Sequence, residues 1–171
     1  MKTIKISSVI VALFIATLFA VASFPLALAQ ESQVGFGISF HHVAISVANV
    51  DESVAWYKKM LGFEEVTRMT QDGANKMLIA HIKRGNCYIE LFQVANSKPL
   101  PEYRRDPTAD LGVQGLKHFG LQVTDAQAAV KELKAKGVEI AMGPVDTPGV
   151  VFVFLRDNSG NAFELIEYKK Q

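Results

Sequence analysis

Hydrophobic and polar positions along this chain follow two periods, and the periods recur in the same order twice. Between residues 40 and 47, Val43, Ile45 and Val47 alternate with His42, Ala44 and Ser46, the period of two of a half-buried strand. The period then changes. Val50, Val54, Tyr57 and Leu61 share one helical face, Asn49 or Asp51 can cap its start, and Gly62 is placed to end it. Three strands are predicted next, over 63–70, 76–83 and 87–93, joined by the turn sequences Gln71-Asp72-Gly73 and Arg84-Gly85-Asn86.

The same order returns from Leu116. A strand leads to Thr124 or Asp125 as a cap, then to a helix in which Ala126, Val130 and Leu133 are spaced as Val50, Val54 and Tyr57 are. Gly137 closes that helix, strands are predicted over 138–142, 150–156 and 162–168, and Asp157-Asn158-Ser159-Gly160-Asn161 forms the last tight turn. The pattern predicts an α+β domain over 40–168 made of two tandem βαβββ modules, 40–93 and 116–168. Between them, residues 94–115 carry three prolines and no period. A connection of that length is commonly a lid, a binding loop or a linker. Arg104 and Arg105 within it could reach an anionic substrate group, or could simply be charges on a solvated connector. Arg68 and Lys117 read as surface charges.

Parity selects the candidate chemistry, because successive strand residues point to opposite faces. With Val43, Ile45 and Val47 packed on the helix, His42 faces the other way and His41 does not. His118 is placed equivalently against Phe119, Leu121 and Val123. Glu90 lies between Ile89 and Leu91, and Glu164 between Phe163 and Leu165, so both acids point away from their large apolar neighbours. The histidines are 76 positions apart and the glutamates 74. Any one of the four alone would read as an ordinary strand position, but matching positions in two repeats imply a shared purpose. If the modules face each other, His42, Glu90, His118 and Glu164 form an oxygen and nitrogen donor set suited to one divalent transition metal, Ni, Zn, Fe, Mn or Co.

Residues 1–29 stand apart from this pattern. A basic start with Lys2 and Lys5, an apolar run from Val9 to Phe24, Pro25, and the small-residue site Ala27-Leu28-Ala29 together predict a secretory signal removed before Gln30, with an uncleaved membrane anchor as the alternative. The protein is therefore expected to be exported, periplasmic or secreted. Residues 30–39 are expected to be a flexible lead-in. Without 1–29 the balance is 16 basic against 17 acidic residues, which gives no general attraction to nucleic acid or to a membrane surface. Cys87 is the single cysteine, so no internal disulfide forms, and its strand position suits a small buried hydrophobe.

Four segments resemble a known family: His42-Val43-Ala44-Ile45, Trp56-Tyr57-Lys58-Lys59-Met60-Leu61-Gly62-Phe63, His118-Phe119-Gly120-Leu121, and Asp157-Asn158-Ser159-Gly160-Asn161-Ala162-Phe163-Glu164-Leu165. In these the chain is similar to the vicinal oxygen chelate superfamily, which includes glyoxalase I, methylmalonyl-CoA epimerase, extradiol dioxygenases and bleomycin-resistance proteins. Asn158 stands where a proline is frequent in that family, and a secretory signal is uncommon in it.

The resemblance implies two modules whose mixed sheet curls around a metal cavity. It also implies one divalent metal per site, a small-molecule substrate with vicinal oxygens, and pairing of two chains into a homodimer. By similarity to glyoxalase I, Glu164 is the catalytic base and Glu90 its counterpart for the opposite proton face. The activity this implies is a metal-dependent lyase or isomerase that stabilises an enolate or enediolate. One alternative is an extradiol-type dioxygenase, for which Glu90 would be a surplus ligand beside a two-His, one-carboxylate triad, with His81 and Tyr88 available to assist. The other is a non-catalytic binding protein. Phe152, Phe154, Tyr88 and Phe92 could line a cavity for an apolar tail, although packing is the commoner fate of such residues.

Overall fold

The computed structural model describes residues 37–73 and 76–170. The expected signal over 1–29 and most of the lead-in lie outside the described residues. Contacts divide the chain into two units, Met1–Ile38 and Ser39–Gln171, and the architecture below is that of the second. Among the described residues, no helix is long and apolar enough to cross a membrane.

The element order is β1 (Val43–Ser46), α1 (Val50–Leu61), β2 (Glu64–Gln71), β3 (Met77–Arg84), β4 (Cys87–Val94), a 3-10 turn (Glu102–Arg104), α2 (Pro107–Asp110), β5 (Phe119–Gln122), α3 (Ala126–Ala135), β6 (Glu139–Asp146), β7 (Val150–Arg156) and β8 (Ala162–Tyr168). Two four-stranded mixed sheets result, in the orders β1-β4-β3-β2 and β5-β8-β7-β6, and neither closes into a barrel. In each module the first strand runs parallel to the last, while the other pairings are antiparallel. This is the expected pair of βαβββ modules. The first strands are shorter than their alternation suggests, so that His42 and His118 each sit one residue before a strand begins.

Local chemistry accounts for the helices. Asn49 and Asp125 are the caps in use, accepting from the amides of Glu52 at 3.1 Å and Ala128 at 2.8 Å. Each helix start has a second acceptor that the sequence pattern does not reveal. Gln93 Oε1, at the end of β4, accepts from Val50 N at 2.8 Å, and Glu167 Oε2, in β8, accepts from Ala126 N at 2.8 Å. Both lie three residues beyond the glutamates at 90 and 164, so each module ties its helix to its last strand in the same way. Gly62, at φ 67, ends α1 in the left-handed region that favours glycine.

Two segments depart from expectation. Residues 94–115 carry the 3-10 turn and α2, whose start is capped by Asp106 accepting from Thr108 N and Ala109 N, with Pro107 in its first turn. A four-residue helix is too short to show a period. Strand β6 continues to Asp146 by way of two register shifts around Gly143, where φ is 92 and an added Cβ would stand 3.1 Å from Phe152 O and Val145 N.

One core joins both modules. Val50, Tyr57 and Leu61 of α1, Ile82, Ile89 and Leu91 of the first sheet, Val130 and Leu133 of α3, and Val153, Leu155, Phe163 and Leu165 of the second sheet form a single buried cluster. The Asp157–Asn161 turn fastens the second module to the first. Ser159 Oγ accepts from Ala48 N at 3.1 Å, Asn161 Nδ2 donates to Ser46 O at 3.0 Å, and Ser53 Oγ donates to Asn158 Oδ1 at 3.2 Å.

Candidate metal centre

Strand register carries each histidine to its glutamate. Ala44 pairs with Glu90 across β1 and β4, and Gly120 pairs with Glu164 across β5 and β8. Each histidine lies two residues before that small partner, and therefore on the same face as the acid. His42 Nε2 is 3.3 Å from Glu90 Oε2, and His118 Nε2 is 3.6 Å from Glu164 Oε2. The flanking residues behave as parity requires, since Ile89, Leu91, Phe163 and Leu165 are buried while Glu90 and Glu164 stay partly accessible.

The two half-sites are not identical. Opposite Glu90 on β3 is His81, whose Nε2 is 2.9 Å from Glu90 Oε1; opposite Glu164 on β7 is Phe154, set edge-on to His118 with ring centroids 4.7 Å apart. His41 is exposed, yet its Nδ1 lies 2.7 Å from His42 Nδ1, which leaves the other nitrogen of His42 for Glu90. Glu90 thus has an imidazole on each side, and His41 contacts the far nitrogen of one of them. Glu164 has one imidazole neighbour and a glycine beside it, since a Cβ on Gly120 would lie 3.5 Å from Glu164 Oε2.

His81 is therefore a direct partner of Glu90, one of the four candidate ligands. The hairpin itself could have revealed its partner: Gly85-Asn86 is a two-residue turn pairing Arg84 with Cys87, and three steps along each strand set His81 against Glu90.

These donors fit a divalent metal chemically. Two imidazoles and two carboxylates suit the borderline first-row ions, and the carboxylates offset a double positive charge. Two atoms each about 2.1 Å from one ion lie about 3.0–3.5 Å apart at angles between a right angle and the tetrahedral value. The His42–Glu90 distance falls in that range and the His118–Glu164 distance just outside it. The structure brings the four residues together as two pairs. Among the described residues it does not gather three or more His, Cys, Asp or Glu side chains into one cluster of metal-binding size.

The other residues singled out from the sequence divide clearly. Arg68 is a surface charge, bonded to Glu65 at 2.6 and 2.9 Å and paired with Asp51. Arg105 pairs with Glu139 at 3.6 Å. Arg104 is fork-bonded to the buried Asp110 at 2.7 and 3.0 Å, and those bonds hold the Asp110 carboxyl below its ordinary range. Lys117 is no surface charge: its ammonium is shielded from solvent, 3.6 Å from Asp110 Oδ1. Phe154 lines a cavity beside His118. Tyr88 stacks on His41 at 5.3 Å. Cys87 is half-buried, and burial pushes its thiol up, as suits a packing residue.

Residues 39–165 match the family model described as Glyoxalase/Bleomycin resistance protein/Dioxygenase superfamily. The chain is 30% identical over 132 residues to the uncharacterized protein YwkD of Bacillus subtilis, covering 75% of this chain and 96% of that one. It is 27% identical over 133 residues to the mitochondrial methylmalonyl-CoA epimerase of Homo sapiens, covering 73% of this chain and 71% of that one. A solved glyoxalase family protein from Enterococcus faecalis superposes with a TM-score of 0.62 at 25% identity, covering 75% of this chain and 97% of that one. Repeated modules, paired His and Glu positions and the family match agree: the chain belongs to the glyoxalase, bleomycin resistance and dioxygenase superfamily, the vicinal oxygen chelate proteins.

Proposed function

We propose that this protein is a metal-dependent lyase or isomerase of the glyoxalase I and epimerase type, acting on a small substrate with adjacent oxygens. His42, Glu90, His118 and Glu164 are the ligands, and Glu164 is the base. The observation that carries this reading is the repetition of one His-Glu pair at the same register in both modules. Similarity to a methylmalonyl-CoA epimerase supports the reaction class, in which a proton next to a carbonyl is removed and returned. A divalent ion held by this set supplies electrostatic stabilisation for negative charge developing on a substrate oxygen.

The difference between the half-sites favours Glu164 as the proton carrier. A base must move its carboxylate to the substrate and back, within hydrogen-bond reach at each end. Glu90 is restrained by His81 and His42, whereas among the described residues the ion-pair contact of Glu164 is His118, at 3.6 Å, with no side chain on Gly120 to confine it. Glu90 then acts chiefly as a fixed ligand and orienting group, with the proton on the opposite face as its secondary task. Phe154, against His118, helps exclude water from that side.

The test has two parts. Metal content of the full chain is measured for the parent, His42→Ala and His118→Ala. If the two pairs serve one ion, either substitution abolishes binding of about one metal per chain; binding that survives in both variants overturns the shared centre. Exchange of substrate protons with deuterated water is then followed for 2-methyl acyl thioesters and hemithioacetals. Glu164→Gln is expected to retain metal and lose exchange. Oxygen consumption with a catechol would reassign the protein to the dioxygenases.

A further inference from the structure

One cavity touches both half-sites. It encloses about 240 Å³, and its wall holds His118 itself, Ala44, the strand partner of Glu90, and Phe154, the strand partner of Glu164. Met142 of β6, Leu111 at the end of α2 and Leu116 before β5 add hydrocarbon to that wall. Leu111 and Leu116 are 69% and 64% exposed, so two large apolar side chains of the wall stand in water. Exposed apolar surface gathered at a concavity next to candidate chemistry marks a place where a ligand supplies the missing contacts.

The charged groups of the wall are already engaged. Arg104 gives two of its donors to Asp110 at 2.7 and 3.0 Å, and the shielded Lys117 ammonium stands at ion-pair distance, 3.6 Å, from the same carboxylate. Arg156 donates to the carbonyl oxygens of Gly160 and Arg105. A charged ligand group would have to displace one of these bonds and give up its own hydration. An uncharged hydrocarbon gains by leaving water.

Met142 bridges the cavity wall. It pairs with Phe154 between the two register shifts of β6, and its sulfur meets the Thr108 hydroxyl of α2 at 3.8 Å, so it joins the second sheet to the 94–115 connection. An unbranched thioether side chain yields to a guest, whereas a larger, stiffer one would exclude it.

We propose that this cavity is the subsite for a short uncharged alkyl or acyl chain that the substrate carries next to its reacting carbon, and that Met142 limits the length of that chain. An apolar cavity of about 150 Å³ holds a six-carbon ring, so the present volume takes about six to eight carbons. That the chain belongs to the substrate rests on the proposed function; the affinity of the cavity for it does not.

The experiment is isothermal calorimetry on the chelator-treated full chain with butyramide, pentanamide, hexanamide and hexanoate. Affinity is expected to rise about fourfold with each methylene, the worth of burying that group, and hexanoate is expected to bind no more tightly than hexanamide. M142W is expected to weaken hexanamide at least tenfold by filling the space; L111W, at an exposed position, makes the same test if M142W does not fold. In proton NMR, hexanamide should shift the imidazole signals of His118 more than those of His81. No saturable binding of hexanamide at millimolar concentrations, affinity independent of chain length, tighter binding of hexanoate, parent-like binding by the folded variants, or a larger shift at His81 would each overturn the subsite. With metal restored, the KM for deuterium exchange into 2-methyl acyl thioesters should fall as the acyl chain lengthens, and M142W should raise it most for the longest chain. Chain-length-dependent binding without any exchange would overturn the reaction class and keep the cavity, so the two failures are distinguishable.

Discussion

Tyr57 of α1 donates its hydroxyl to Asp157 Oδ2 at 3.0 Å, a buried bond between residues one hundred positions apart that joins the helix of the first module to the last turn of the second. Asp157 also accepts from Ser159 N at 2.8 Å, Asn161 N at 2.8 Å and Asn161 Nδ2 at 3.0 Å. A single carboxylate thereby shapes the turn and locks it to the other module. Tyr57→Phe removes one donor and leaves the carboxylate bonded three times, so a loss of about 1 kcal/mol is expected. Asp157→Ala leaves several buried donors unpaired and should cost roughly 3 kcal/mol or more. Denaturant unfolding of both variants checks the order.

The same bond predicts a response to alkali. Burial, reinforced by the Asp157 charge, holds the Tyr57 hydroxyl well above its ordinary value of about 10. A pKa raised in the folded state means that the native protein keeps its proton longer than the unfolded chain does. The stabilisation is complete below about pH 10 and is lost as pH rises beyond it toward the folded value. The parent should lose stability above pH 10 more steeply than Tyr57→Phe, as followed by melting temperature across that range.

His81 contacts Glu90 and His41 contacts His42, so in the proposed metal centre both would orient a ligand. Groups that orient metal ligands typically affect metal affinity by 10- to 100-fold when removed. His81→Phe copies the residue that module two uses opposite its own glutamate. It should fold normally and weaken metal binding by about tenfold, measured by competition with a chelator. Unchanged affinity would limit His81 to packing.

Gln93 and Glu167 each accept the first free amide of a helix, Val50 N and Ala126 N. Alanine at either position should cost about 1 kcal/mol, the usual worth of such a cap. Glu167 also sets a negative charge at a helix start, so added salt should shrink its effect more than that of Gln93. Chemical unfolding at two ionic strengths distinguishes them.

The lone chain of letters determined much of this. Alternation fixed the faces of β1, β4, β5 and β8, helical spacing fixed the buried stripes of α1 and α3, and repetition picked out His42, Glu90, His118 and Glu164, because each of these features is local and periodic. Tertiary structure decided what lies between distant segments. It set His81 against Glu90 and Phe154 against Glu164, sent Tyr57 to Asp157, and enclosed Lys117 beneath a connection whose four-residue helix has no period to read. Whether a lysine is solvated or buried depends on which chain passes over it, and that is a property of packing, with no trace in the residues beside it.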